Sequence, residues 1–242
     1  SDTAHWSTTD GGGSGASAPL AQDTAYFTSN SFSSGAQTMT QHWIGTPKMI
    51  WTGVTNTPAW RMGVGTNTRN ILTQDVTLGT ITIHAASEIF SIEARDGNTV
   101  TLTSAGVSFP QATTTVNSLA STAVLADNFL MGNATAQLVH SAGTLTAAGN
   151  VNMATFSITG TGTRTLNMGN GTWTMTGIGT IWDATDPTNL TLNGNGSTIL
   201  SNSTSASART FASGGKTYNN VTFAGSGAGL ITVSGGPTLT GT

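Results

Sequence analysis

Residues 156–240 read FSITGTGTRTLNMGNGTWTMTGIGTIWDATDPTNLTLNGNGSTILSNSTSASARTFASGGKTYNNVTFAGSGAGLITVSGGPTLT, and this stretch decides the fold. Short apolar alternations recur along it: Phe156 and Ile158, Leu166 and Met168, Trp173 and Met175, Ile181-Trp182, Leu190 and Leu192, Ile199-Leu200, Val221 and Phe223, Ile231 and Val233. Side chains on a strand point to opposite faces with a period of two, so each alternation predicts a strand. Gly, Asn, Asp and Ser fill the gaps, and Gly and Asn tolerate the positive φ that tight bends need. Strand starts fall every 8–12 residues or so, the spacing of an all-β fold. The reading is a right-handed parallel β-helix or solenoid, with an antiparallel β-sandwich or jelly roll as the alternative. Two-residue hairpin signals are few and Gly/Asn bends are many, which favours the solenoid.

Composition agrees and excludes several function classes. Charged residues make up 7% of the 242 residues, against about 25% in an average soluble domain. The apolar 36% is periodic rather than scattered, so low charge here does not signal disorder. Seven basic residues, spread from Lys48 to Lys216 with a net charge of −3, form no patch for nucleic acid. With no cysteine, the chain has neither a disulfide framework nor a thiolate metal site. No apolar run is long enough for a membrane span. The first residue is Ser1, which is compatible with a processed protein and with a segment of a longer one.

Outward from the repeats, the chain divides into an N-terminal arm and capping region, residues 1–65, and a β-repeat domain, residues 66–242. The polar, Gly-rich lead SDTAHWSTTDGGGSGASA reads as an exposed arm or an end-cap, and Trp6 argues for docking. Residues 37–65 concentrate large side chains, among them Trp43, Trp51 and Trp60. These three indoles are the candidate glycan-contact residues, because aromatic faces stack on sugars; the competing reading makes them core and capping residues. Asp96-Gly97 marks a tight turn between two strand-like segments. Residues 110–137, PQATTTVNSLASTAVLADNFLMGNATAQ, are the least strand-like and are read as an irregular insertion.

Constellations for catalysis are sparse. Glu88 and Glu93 are the one nearby acid pair in strand-like sequence, but their odd separation puts them on opposite faces, and they read as solvent-facing charge. Asp183, Asp186 and Asn189 gather oxygen ligands in one loop without an EF-hand spacing, which reads as an Asx-turn. His5, His42, His84 and His140 have no ligand spacing for zinc. The sequence thus predicts no catalytic residue, no metal site and no cofactor. Thr-x-Thr pairs recur, as in Thr99-Val-Thr101, Thr144-Leu-Thr146 and Thr172-Trp-Thr174. Flat arrays of such pairs can bind ice, but the pairs follow one another at no constant interval, and Thr favours solvent-facing strands in any case.

Three segments carry a resemblance: HWSTTDGGGSGASAP, MIWTGVTNTPAW and RTFASGGKTYNNVTFAGSG. They resemble repeat proteins of tailed bacteriophages and their bacterial hosts, which are similar to right-handed parallel β-helix virion and surface proteins. The resemblance implies a non-enzymatic structural protein on the virion surface, or alternatively secreted or on the bacterial cell surface. Its implied form is a homotrimeric capsid decoration (cement) protein or a fibre or spike segment, with a capsid or tail protein as partner. Two alternatives stay open: an adhesin or receptor-binding spike that recognises a host-surface glycan, and a polysaccharide-degrading tailspike.

Overall fold

Alternating burial along most of the short strands turns one face of each segment inward, and the chain satisfies this by coiling. The computed structural model describes residues 6–20, 22–34, 37–41, 47–62, 69–83 and 89–241. Over them the chain winds as a right-handed parallel β-solenoid of about eight turns. Each complete turn contributes three strands, one to each of three faces. The turn at the middle of the stack illustrates the path: Arg164–Asn167 lies on the first face, Thr172–Met175 on the second and Gly179–Asp183 on the third. The next turn repeats it with Leu190–Asn193, Thr198–Ser201 and Arg209–Ala212. Every pairing among the described strands is parallel, and neighbours in a sheet come from successive turns. The sandwich alternative is thereby excluded.

Interior side chains stack in register from turn to turn. On the third face Leu72, Ile92, Val116, His140 and Ile158 occupy one inward row. A neighbouring row runs Leu138, Phe156, Trp182, Phe211. Trp182 is fully buried at its centre, with ring centroids 4.6 Å from Phe156, 5.9 Å from Phe211 and 5.8 Å from Tyr218. Its indole Nε1 donates to the Tyr218 hydroxyl at 3.2 Å, and that hydroxyl donates to the Ser213 carbonyl at 2.8 Å. Burial raises the Tyr218 pKa far above the usual phenol range, so the hydroxyl keeps its proton.

Corners are closed by polar groups that face the backbone. Asp127 accepts from the amides of Ser104 and Ala105, both at 2.7 Å. Asn128, Asn150 and Asn170 do the same one turn apart, accepting from Asn150, Thr172 and Gly196 amides. Arg164 is fully buried and has no carboxylate among its hydrogen-bond partners. Its guanidinium donates to the carbonyls of Gly162 and Thr159 at 3.1 Å, to Asp186 at 3.4 Å, and to Thr188.

Two expectations need correction. Residues 110–137 are no irregular insertion: they contain Thr113–Leu125, the longest strand of the described chain, followed by Phe129–Met131 and the start of Gln137–Ala147. Each of the two long strands runs around a corner, so first and third faces are continuous there. Nor does the stack start near residue 66. Thr24–Phe27 pairs with Lys48–Trp51, which pairs with Val76–Thr77 and through it with Thr99–Thr103. The capping role belongs to residues 6–20. Trp6 sits edge-on to Phe27 at 5.9 Å, its carbonyl accepts from Gly15 and Ala16, and Asp10 accepts from the Thr28 hydroxyl at 2.6 Å. The tight turn expected at Asp96-Gly97 is present, with positive φ at both residues, 56° and 75°, and it joins strands of different faces.

The two ends differ. At the N-terminal end Phe27, Phe32 and Trp51 stack beneath the lead, with Phe27 and Trp51 centroids 4.0 Å apart. At the C-terminal end Ile231–Ser234 is exposed at every residue, and Leu230, Val233 and Leu239 are about half exposed or more.

Candidate functional site

Of the three candidate sugar-stacking indoles, Trp43 lies outside the described residues. Trp51 and Trp60 are 2% and 0% exposed. Trp51 stacks on Phe27 and Phe32, so its faces are occupied by protein rings. Both indoles therefore serve the core, and neither offers a face to a sugar. The even spacing of Trp51 from the inward Met49 carried that signal already.

Polar candidates are likewise absorbed into the fold. Glu88 lies outside the described residues, as do His5, His42 and His84. Glu93, expected on the surface, is 1% exposed and forms an ion pair with Arg95. Asp183 accepts from the amide and hydroxyl of Thr185, and Asp186 accepts from the Thr188 amide at 3.0 Å. Those bonds from Thr188 hold the Asp186 carboxyl below the usual carboxylate range. Among the described residues no group of three or more His, Asp or Glu side chains stands ready for a metal ion. No helix among them is long and apolar enough to cross a membrane.

His140 is the one histidine the structure describes, and it takes an aliphatic position. It is fully buried between Val116 and Ile158 of adjacent turns. The carbonyls of Thr165, Val116 and Gly143 lie nearby, yet neither ring nitrogen closes a hydrogen bond. Burial lowers its pKa to about 4, and the charge of Arg164 pushes the same way. The folded state thus holds His140 neutral while the unfolded chain protonates near pH 6.5. Stability from this site is full above pH 6.5 and is lost as pH falls towards 4, by about 3 kcal/mol in total. His140→Val is expected to flatten that part of the stability profile, as read by urea unfolding between pH 4 and pH 7. A profile of the same slope in the variant would place the acid sensitivity elsewhere.

What the sequence could not align is a row of hydroxyls. Thr99, Thr122, Thr144, Thr165 and Thr191 are register partners on five successive turns of the first face. A second outward row, two residues along, reads Thr101, Val124, Thr146, Asn167 and Asn193. In that second row Asn193 donates to Asn167 at 2.7 Å and Asn167 to the Thr146 hydroxyl at 3.0 Å, which fixes it. Both rows are free of charge. Beside the first row, a groove of about 400 Å³ runs along the corner between the first and third faces.

The groove has a local cause. Between Ser118 and Thr122 the strand register skips, so the chain bulges at 119–121, with Leu119 and Ala120 exposed and Ser121 buried behind them. Ala120 takes a positive φ of 54°, and the Ser121 hydroxyl accepts from the Gly97 amide at 3.0 Å, which pins the bulge to the turn below. On the next turn Gly143 passes so close to Ser118 that a Cβ there would lie 1.6 Å from the Ser118 carbonyl oxygen. Only glycine fits, and its φ of +74° suits no other residue well. The bulge forms one wall and the threonine row the other. Searched against known protein families, curated proteins and solved structures, the chain matches none of them.

Proposed function

We propose that the protein is a non-enzymatic structural element, a stiff β-solenoid of a bacteriophage virion that works as a homotrimeric capsid decoration protein or as a fibre or spike segment. The observation that carries the reading is the stack of parallel turns among the described residues, built over an interior aromatic row. Such a stack has only its ends as weak points, and its length and stiffness are themselves useful. Charged side chains support the same reading, because they tie the backbone together: Arg164 and Asp127 at corners, Asp183 and Asp186 in turns. Apolar residues left exposed on the flanks and at the C-terminal end, among them Tyr26, Ile178, Val233 and Leu239, are surface that assembly would cover.

Sedimentation equilibrium of the 24.5 kDa chain tests the assembly. A trimer mass is expected, and a stable monomer at micromolar concentration would overturn it. Antibody labelling of phage particles tests the location: decoration of the capsid or tail surface is expected, and particles left bare would count against a virion role.

A further inference from the structure

The groove beside the threonine row has the chemistry of a ligand site that the structural reading leaves unused. The hydroxyls of Thr99, Thr122, Thr144, Thr165 and Thr191 make no hydrogen bond within the described protein, in contrast to Thr146 of the adjacent row. They recur once per turn, at the strand spacing of roughly 4.8 Å along the solenoid axis. Three of them, Thr122, Thr144 and Thr165, line the groove, and Leu119, 60% exposed, lines it opposite. A volume of about 400 Å³ lies in the range of small-ligand sites. No charged side chain lines it.

A ligand for this wall must offer hydroxyl groups at regular intervals, carry no charge, and present an apolar face to Leu119 and the threonine methyls. A polysaccharide has all three properties: an extended pyranose chain advances by about one strand spacing per sugar, its rim is hydroxylated, and its ring faces are C–H surfaces. An ionised sugar would leave its carboxylate beside the groove without a cation. We propose that this groove binds a neutral polysaccharide chain laid along the solenoid axis, about one sugar per turn, hydrogen-bonded by Thr122, Thr144 and Thr165 and seated against Leu119. The site does not depend on the virion assignment, since it rests only on the register of the first face and the bulge at 119–121.

The test is calorimetric titration of the full chain with neutral hexasaccharides of glucose, galactose, mannose and N-acetylglucosamine, with a galacturonate hexasaccharide alongside. Saturable binding of at least one neutral probe is expected, with no binding of the galacturonate. The triple variant T122V/T144V/T165V keeps the shape and β-branching of the wall but removes its hydroxyls, and affinity is expected to fall about tenfold or more. A second variant, Leu119→Lys, changes an exposed residue and is expected to weaken binding without moving the melting temperature; it decides the question if the triple variant folds poorly. Absence of binding to every neutral probe, binding that survives both variants, or preference for the galacturonate would overturn the proposal. So would a protein that binds no sugar yet arrests ice growth through the same threonines, because the partner would then be a flat lattice and not a chain in a groove.

Discussion

Trp182→Ala is expected to cost about 4 kcal/mol of folding stability, near the upper end for a single core truncation. The indole fills the middle of the interior row, in contact with Phe156, Trp173, Phe211 and Tyr218. Its removal leaves a void that cannot collapse, because the turns on either side are held at the strand spacing by their own backbone hydrogen bonds. The Tyr218 hydroxyl also loses the Trp182 N–H that it accepts from. Trp182→Phe keeps most of the volume and is expected to lose only about 1–2 kcal/mol. Urea unfolding followed by circular dichroism gives the totals, and amide exchange at Phe156 and Phe211 reads the local effect. A loss below about 1 kcal/mol for the alanine variant would show that the interior row is not what holds these turns.

Arg164→Leu is expected to be comparably severe, about 3–5 kcal/mol, for a different reason. The guanidinium satisfies four carbonyls on two successive turns: Thr159 and Gly162 on its own, Asp186 and Thr188 on the next. Leucine fills part of the space but leaves those part-buried oxygens without their donors. Arg164→Lys keeps the charge yet cannot span the same acceptors with a planar fork, so an intermediate loss is expected. If leucine were as stable as arginine, the carbonyls would have to reach water instead, and protease cleavage in the 184–189 loop would rise without a change in global stability. Equal stability with unchanged cleavage would refute the role given to Arg164.

How much of this was legible beforehand follows from what is local and what is not. The alternations quoted from residues 156–240 fall on strands, Met168 alone lying one residue past its strand's end, and the contrast is sharpest where Trp173 and Met175 are buried between the partly exposed Thr172 and Thr174. Residues 113–125 follow the same period, but their contrast is weak. Inward positions include Thr114, Ser118 and Ala123 while outward ones include Val124, so polarity no longer tracks direction. Parallel pairing was legible only indirectly, from scarce hairpin signals and frequent Gly/Asn bends, since each strand meets its partners about two dozen residues away. The threonine row was hidden for a related reason. Thr99, Thr122, Thr144, Thr165 and Thr191 are unevenly spaced in sequence, and only the corners, which absorb the extra residues, bring them into line. Trp51 and Trp60 stood between two readings because a tryptophan-rich stretch reads alike as platform and as plug; the stacking of Phe27 and Phe32 on Trp51 decides for the plug.

The unlike ends give the molecule a polarity. At one end the chain's own first residues lie over the stack, with Asp10 fastened to Thr28 and Trp6 against Phe27, so no further strand can add there without displacing them. At the other, the strand Ile231–Ser234 leaves one edge unpaired and its neighbours' apolar side chains uncovered. A stack of identical hydrogen-bonding layers is a template, and this one is blocked on one side and available on the other. Whatever is added in register, whether backbone of this chain or of another, is directed to the same terminus and inherits the strand direction and side-chain alternation already laid down.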